Sequence, residues 1–532
     1  MTPKKIVCLL LLIIIIIAAF LRLYNINNTP PGLYPDEAMN GNNALEVWSS
    51  SHISKSILTF GNSGDGFRIF YPENNGREGL FIDIEAISVA IFGNTPWALR
   101  GVSAIFGILT VLGIYFLTKE LFGEKLTTYN LQPTTNYKKI GISTSQKIAL
   151  LSSFLLATSF WHINFSRIGF RAITAPFWLV WGIYFLLLAY RKEKLKLMAL
   201  AGFVFGMGIH SYIAYRIAPV LAIAIFLYWF FKFGERRKWL WKSFGIFILF
   251  AFIAALPLLY YFAKHPQDFF GRTSQVSVFS SQAPLKDLAV NVIKTAGMFN
   301  FAGDGNWRHN YAGSPELFWP VGILMLIGIV TGLIYLFRKS KPADTIQTNT
   351  ETSYSPDRFP FMILFVWIII AALPVVISDE GIPHALRSIL LIPPIIILSG
   401  FGGVWLYEKL SAKFQLKKLL LLISYVLLLI LIIEAYHTYF IKWAKNPNVP
   451  GAFAQSYVDI GNKLNSLPIS TPKYVIVKAG GVDVRGMPMP TQTTMFITDT
   501  FTPEKQALKN IHYILPDQVN QIPPGAYITV IE

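Results

Sequence analysis

The chain has 532 residues, of which 53% are hydrophobic and only 14% charged, at a mean hydropathy of +0.47; this excludes a soluble globular enzyme and defines a polytopic membrane protein. The single cysteine, Cys8, excludes an intrachain disulfide and a thiolate metal cluster. A formal charge of +17 invites a nucleic-acid reading, but its placement along the chain removes the main support for one.

In chain order, the first apolar run covers residues 6–24 behind Lys4 and Lys5. It continues through Arg22-Leu23-Tyr24 with no small-residue cleavage site, which predicts an uncleaved anchor. At about 20 apolar residues per crossing, further spans are expected near 96–118, 148–164, 171–190, 197–213, 215–231, 243–262, 317–337, 359–378, 385–406 and 419–440. Eleven spans put the termini on opposite sides. The segments 2–5, 119–147, 191–196, 232–242, 338–358 and 408–418 share one side and hold 24 Lys/Arg against 8 Asp/Glu, almost the whole positive excess. That side is therefore expected to be cytoplasmic, with the N-terminus inside. The basic charge then reports topology, and no nucleic-acid partner is expected.

Three non-cytoplasmic parts are large enough for chemistry: 25–95, 264–316 and the tail from about 442. In the first, Ala38, Leu45 and Trp48 have helical spacing over Asp36 to Trp48, and Leu80 to Phe92 reads as a short helix at the membrane surface. In the second, a helix is expected over Leu285 to Phe299, before a Gly/Asn-rich loop. The inside loop 338–358 has the composition of a linker. The tail combines a helix pattern over Phe453 to Leu464 with β-rich runs at 474–477, 494–497 and 526–530. The expected architecture is an all-α polytopic module over 1–441, followed by a small extracytoplasmic α/β domain over 442–532.

All but one of the motifs fall at expected outer span ends or in the first outer loop. Asp36-Glu37 opens the first outer loop. Ile91-Phe92-Gly93 and Trp97-Ala98-Leu99-Arg100-Gly101-Val102-Ser103-Ala104 lead into a span that ends Lys119-Glu120-Leu121-Phe122-Gly123. Ser166-Arg167-Ile168-Gly169-Phe170-Arg171, Tyr212 to Pro219, Gly303-Asp304-Gly305-Asn306-Trp307-Arg308-His309-Asn310 and Pro383-His384-Ala385-Leu386-Arg387 follow. In this order the motifs resemble the protein-mannosyltransferase-like branch of the GT-C glycosyltransferases, including bacterial glycosyltransferase family 39-like members. The resemblance covers most of the membrane part.

It implies transfer of one sugar from a polyprenyl-phosphate carrier, because nucleotide sugars stay in the cytoplasm. Attack on the anomeric carbon needs a base on one side and charge neutralisation of the departing phosphate on the other. By resemblance Asp36 is the candidate base, acting by inversion. Glu37 is divided between a catalytic role and a first-turn helix role, and Glu78 between substrate or metal contact and an ordinary cap. Arg77, Arg167, Arg171, Arg216, Arg308 and Arg387 are candidates for phosphate, since a guanidinium binds it bidentately; snorkelling to lipid head groups is the alternative for those at span ends. His309 and His384 suit phosphate, acceptor or a divalent ion, and Asp304 a turn or a contact. Tyr212 and Tyr215 flank Arg216, with packing as their simpler use. The acceptor is not readable, and metal dependence stays open.

A transporter or flippase of lipid-linked sugars is the alternative. It would place charges in mid-span, where Glu434 is the main candidate. An oligosaccharyltransferase is expected to carry a Trp-Trp-Asp-Tyr-Gly-like motif, which this sequence lacks.

Overall fold

The computed structural model describes residues 2–49, 66–123, 142–232, 236–275, 278–338, 358–379, 381–414 and 417–532. Among them, nine helices are long and apolar enough to cross a membrane: Pro3–Leu23, Pro96–Leu121, Arg171–Lys192, Ile213–Lys232, Arg237–Lys264, Trp319–Phe337, Arg358–Val376, Ile389–Phe414 and Lys418–Trp443. The chain is thus a multi-pass membrane protein. Leu12 and Ile16 on the first helix, and Leu422 and Ile433 on the last, stay exposed on the bundle, as lipid-facing residues do.

Two of the eleven expected spans fall short of this length. The run 197–213 becomes an apolar segment over Leu195–His210. The run 148–164 breaks into Thr144–Ala157 and Phe160–Phe165. The break has a cause: Arg22 donates to the terminal carbonyls of Leu156 (3.1 Å) and Ala157 (3.0 Å), where a cation suits the helix end. Ser159 then caps the next helix at the His162 amide. The short segment packs closely because Gly202 and Gly206, one turn apart, meet the backbone at Phe247 and Ala251 with no room for a Cβ.

At one end of the bundle the first loop folds into helix Pro35–Ser49, a two-residue hairpin of β1 (Phe70–Tyr71) with β2 (Arg77–Glu78), and helix Gly79–Phe92. Both helices match the expected ones, and Pro284–Gly297 matches the third. The linker expected at 338–358 lies almost wholly outside the described residues.

The tail carries a three-stranded parallel sheet in the order β6 (Ile511–Ile514), β3 (Lys473–Val477), β7 (Tyr527–Ile531). Helix Gln455–Ser466 precedes it, and a small hairpin pairs β4 (Asp483–Val484) with β5 (Met487–Pro488). The strand expected at 494–497 is instead part of helix Thr491–Thr498, and strand Ile511–Ile514 was not anticipated. The helix is chosen by tertiary context. Its threonines satisfy their hydroxyls on backbone carbonyls, Thr493 on Leu33 (2.9 Å) and Thr498 on Thr494 (2.7 Å), while Gln492 accepts from Asn42 (2.9 Å). This helix joins the tail to the first loop, with Phe496 buried in a cluster with Leu33, Ala38 and Leu99.

Candidate active site

Pro35 starts the first-loop helix, so Asp36 and Glu37 occupy its first turn and point to different surroundings. Glu37 is fully buried. It accepts from Arg100 Nε (2.9 Å) and Nη2 (3.2 Å), from the Gly169 amide (2.8 Å) and from the Tyr34 amide (3.2 Å). Arg100, equally buried, donates onward to the carbonyls of Ile26, Pro30 and Gly32. Glu37 therefore ties the helix start to two other segments and presents no free face to a substrate.

Asp36 remains partly exposed and accepts from Asn74 Nδ2 at 2.5 Å. The Arg308 guanidinium lies 3.8 Å from the centroid of the ring of Tyr34, two residues before Asp36 in the chain. Burial and the Asp36 carboxylate push the Tyr34 phenol up, while Arg308 pulls it down. One partly exposed tyrosine thus registers both the candidate base and an arginine from a loop some 270 residues away.

Asn74 sits in the hairpin turn, where Asn74, Asn75 and Gly76 all have positive φ (54°, 61° and 82°); Asn and Gly tolerate that conformation. Behind the turn, buried Arg77 donates to Asn40 (2.8 Å) and Asn43 (2.5 Å). Burial lowers its guanidinium to about 10, with Arg171 adding to the effect. Glu78 is at the N-cap position of Gly79–Phe92 but makes no side-chain cap bond. Instead it pairs with Arg171 Nε (2.8 Å) and Arg216 Nη2 (3.7 Å). Burial alone would push this carboxyl up; Arg171 and then Arg216 hold it below the ordinary carboxylate range. Tyr212 lies under Arg171 at 5.8 Å, and Arg216 also donates to the Phe269 carbonyl (2.7 Å). Four sequence-predicted residues, Glu78, Arg171, Tyr212 and Arg216, are therefore in one cluster.

The third group comes from two loops. Asp304 Oδ1 accepts from the Asn306 amide (2.8 Å), and Oδ2 from the Ala385 amide (2.9 Å) and from His309 Nδ1 (3.0 Å). His384 Nδ1 is 3.8 Å from the same oxygen, and the two imidazole centroids are 4.8 Å apart. Burial shifts both rings toward the neutral form. Burial lowers His309 despite Asp304, and burial with His309 lowers His384 to about 3. These three side chains could hold a metal ion. Arg387 donates to Ser378 Oγ. Glu316 accepts from the Asp304 amide (3.0 Å), and burial pushes its carboxyl well above the usual range.

Two predicted residues stand apart. Arg167 is buried against the rings of Phe440 and Tyr439 and donates to the carbonyls of Leu21, Tyr24 and Thr29, which commits both Nη atoms to backbone. Tyr215 is fully buried and donates to the Phe205 carbonyl (3.0 Å), which is the packing use. Sequence reasoning did not single out Tyr34, Asn74, Arg100, Glu85 or Glu316. Asn74-Asn75-Gly76 is a turn signal. Glu85, inside an apolar helix, is a visible anomaly: among the described residues neither of its oxygens has a hydrogen-bond partner, and burial with nearby Glu37 raises its carboxyl well above the usual range.

On the far side of the 302–316 loop is a cavity of about 650 Å³, whose walls include Asn310, Glu316, Phe318, Glu434, Thr438 and Lys442. It is not lined by Asp36, Arg171 or Arg308. Glu434, the candidate mid-span charge of a transporter, is thus at this cavity and accepts from Thr438 (2.8 Å).

No sequence-family profile matches the chain, and no curated protein matches it in sequence. Solved structures do. ArnT from Cupriavidus metallidurans, bound to undecaprenyl phosphate, superposes at a TM-score of 0.53 and 13% identity, covering 92% of this chain and 84% of its own. The oligosaccharyltransferase of Archaeoglobus fulgidus, tethered with an acceptor peptide containing the NVT sequon, gives 0.49 and 15% identity over 94% of this chain. This chain spans 64% of the length of that oligosaccharyltransferase. At these identities the likeness is one of fold. What this chain and ArnT share is the architecture, a polytopic helical bundle followed by a C-terminal domain.

Proposed function

We propose that the chain is an integral membrane glycosyltransferase that moves a single sugar from a polyprenyl-phosphate carrier to an acceptor hydroxyl at the extracytoplasmic face of the membrane. One observation carries the reading: of the three candidate carboxylates, Glu37 and Glu78 are buried in arginine pairs, and Asp36 alone keeps an exposed face, with Tyr34 under the charges of both Asp36 and Arg308. Asp36 takes the proton of the acceptor hydroxyl as its oxygen bonds to the anomeric carbon. The bond from that carbon to the phosphate oxygen breaks, the polyprenyl phosphate leaves with the electron pair, and configuration inverts. Arg308, with Arg171 and Arg216, supplies positive charge for the departing phosphate. His309 and His384 lie in the field of Arg308 and Arg387. Arg77 shapes the Asn74 turn, and the tail over 442–532 covers the first loop. The bound undecaprenyl phosphate of the ArnT structure accords with a lipid-borne donor.

The test is sugar transfer by the purified protein from a panel of polyprenyl-phosphate sugars to fractionated protein, lipid and glycan acceptors. Asp36→Asn should fold normally and lose transfer by roughly 100-fold or more, the usual range for a general base. Turnover equal to the wild type in that variant overturns the assignment. Single-sugar transfer that leaves the free polyprenyl phosphate as product is the result expected of the intact chain; vectorial movement of an unaltered lipid-linked sugar would favour the flippase reading instead.

A further inference from the structure

We infer that Asp304, His309 and His384 form a binding site for one divalent transition-metal ion. Asp304 and His309 share one loop and His384 comes from another, 75 residues after His309, yet one ligand atom from each falls within 4.8 Å of the other two. Two imidazoles and one carboxylate are the donor set of many three-ligand metal centres that leave a coordination position open for water or substrate. The side chains are also suitably enclosed, with 5% exposure for Asp304, 6% for His309 and 16% for His384. His384 is the most open member and marks the access side.

The carboxylate is pre-oriented. The Asn306 amide fixes one oxygen and the Ala385 amide the other, the outer support that metal-bound carboxylates require. His309 Nδ1 and Asp304 Oδ2 are hydrogen-bonded at 3.0 Å. An ion takes this position when the single imidazole proton moves to Nε2, a change of tautomer with no net proton release. His384 then closes the remaining 3.8 Å gap by a small ring movement. Imidazole donors select Zn²⁺, Co²⁺ or Mn²⁺ over Mg²⁺ and Ca²⁺, which prefer all-oxygen sites. The Arg308 and Arg387 charges act on His309 and His384 and oppose a bare cation. The open position therefore suits an anionic oxygen, and phosphate is the chemistry that both arginines and the ion would share. The metal assignment itself stands independently of the proposed transfer reaction.

The experiment uses the full-length protein in detergent, stripped with a chelator and titrated with Co²⁺ in the visible region. The expected result is a ligand-field band that saturates at one ion per chain, is displaced by Zn²⁺ and is insensitive to excess Mg²⁺. His309→Ala and His384→Ala should each weaken binding by roughly 100-fold, while Asp36→Asn keeps the band. His384→Asn is read alongside, with its thermal unfolding profile, to separate loss of a ligand from loss of the fold. No saturable band in the wild type, or wild-type affinity in both histidine variants, overturns the inference. Neither result depends on sugar transfer, so failure here is distinct from failure of the Asp36 assignment.

Discussion

The sharpest separation between neighbouring residues is predicted for Glu37. In Glu37→Ala the Arg100 guanidinium stays fully buried with three backbone carbonyls and no counter-charge, and the Gly169 amide loses its acceptor at 2.8 Å. Breaking a buried pair by removing one partner costs about 3–5 kcal/mol, and the orphaned amide places this variant at the upper end. Glu37→Gln keeps the shape and one carbonyl oxygen but loses the charge, for about 1.5–3 kcal/mol, the worth of a charge-assisted hydrogen bond. The double variant Glu37→Ala/Arg100→Met removes both charges and should recover much of the loss. Unfolding of the detergent-solubilised protein, followed by tryptophan fluorescence, orders the three: Glu37→Ala lowest, the other two between it and the wild type. Transfer activity per folded molecule should stay near normal in Glu37→Gln. A Glu37→Ala protein as stable as the wild type but inactive would refute the structural role and return Glu37 to the catalytic set.

The tail should influence the site through one turn. Arg485 of the small hairpin pairs with Glu46 (2.7 Å) and Glu73 (3.0 Å), and Asn74, which follows Glu73, donates to Asp36. Asn74→Ala should lower kcat about tenfold with donor KM unchanged, the worth of one hydrogen bond of about 1.4 kcal/mol. Arg485→Ala should act in the same direction but more weakly, because its guanidinium is partly exposed; an unchanged kcat in Asn74→Ala would detach this turn from the chemistry. Glu316→Gln tests the buried acid beside Asp304. Its folded pKa is raised well above the unfolded value near 4.3, so its stability contribution is full below that value and is lost as pH rises toward the folded pKa. The glutamine keeps an acceptor for the Asp304 amide and should flatten that loss of stability, measured as thermal unfolding across pH 5–9 relative to the wild type; an identical pH profile in both proteins would show that Glu316 is ionised when folded.

What the sequence made legible follows from the range of each interaction. The long apolar helices were readable because crossing a bilayer constrains every residue of the run, and nine of the expected spans appear at full length. The split of 148–164 was not readable, because Arg22 donating to Leu156 and Ala157 acts across some 135 residues. The same reason turns Thr494-Met495-Phe496-Ile497 from an expected strand into a helix. Its β-rich composition is a local preference, and burial of Phe496 with Leu33 and Leu99 from the first loop overrides it.

At the site, residue type was legible and direction was not. Asp36, Arg171, Tyr212, Arg216, Arg308, His309 and His384 are recognisable in sequence as charged, aromatic or metal-capable groups at span ends, Arg167 looks no different from them, and Glu37 stays divided between catalysis and the helix start. Burial and committed hydrogen bonds separate the two sets. Arg167 is fully buried with three of its donors on backbone carbonyls, and Glu37 is fully buried and accepts four donors, so neither presents a face to a ligand. Asp36 accepts from Asn74 and keeps an exposed face. His309 and His384 show the opposite limit: lacking any short ligand spacing they made weak metal candidates in sequence, and only the approach of the 302–316 loop to Ala385 brings both imidazoles to one carboxylate oxygen. Near a membrane, where unpaired charge is costly, the number of unused donor and acceptor positions is a better guide to function than the charge itself.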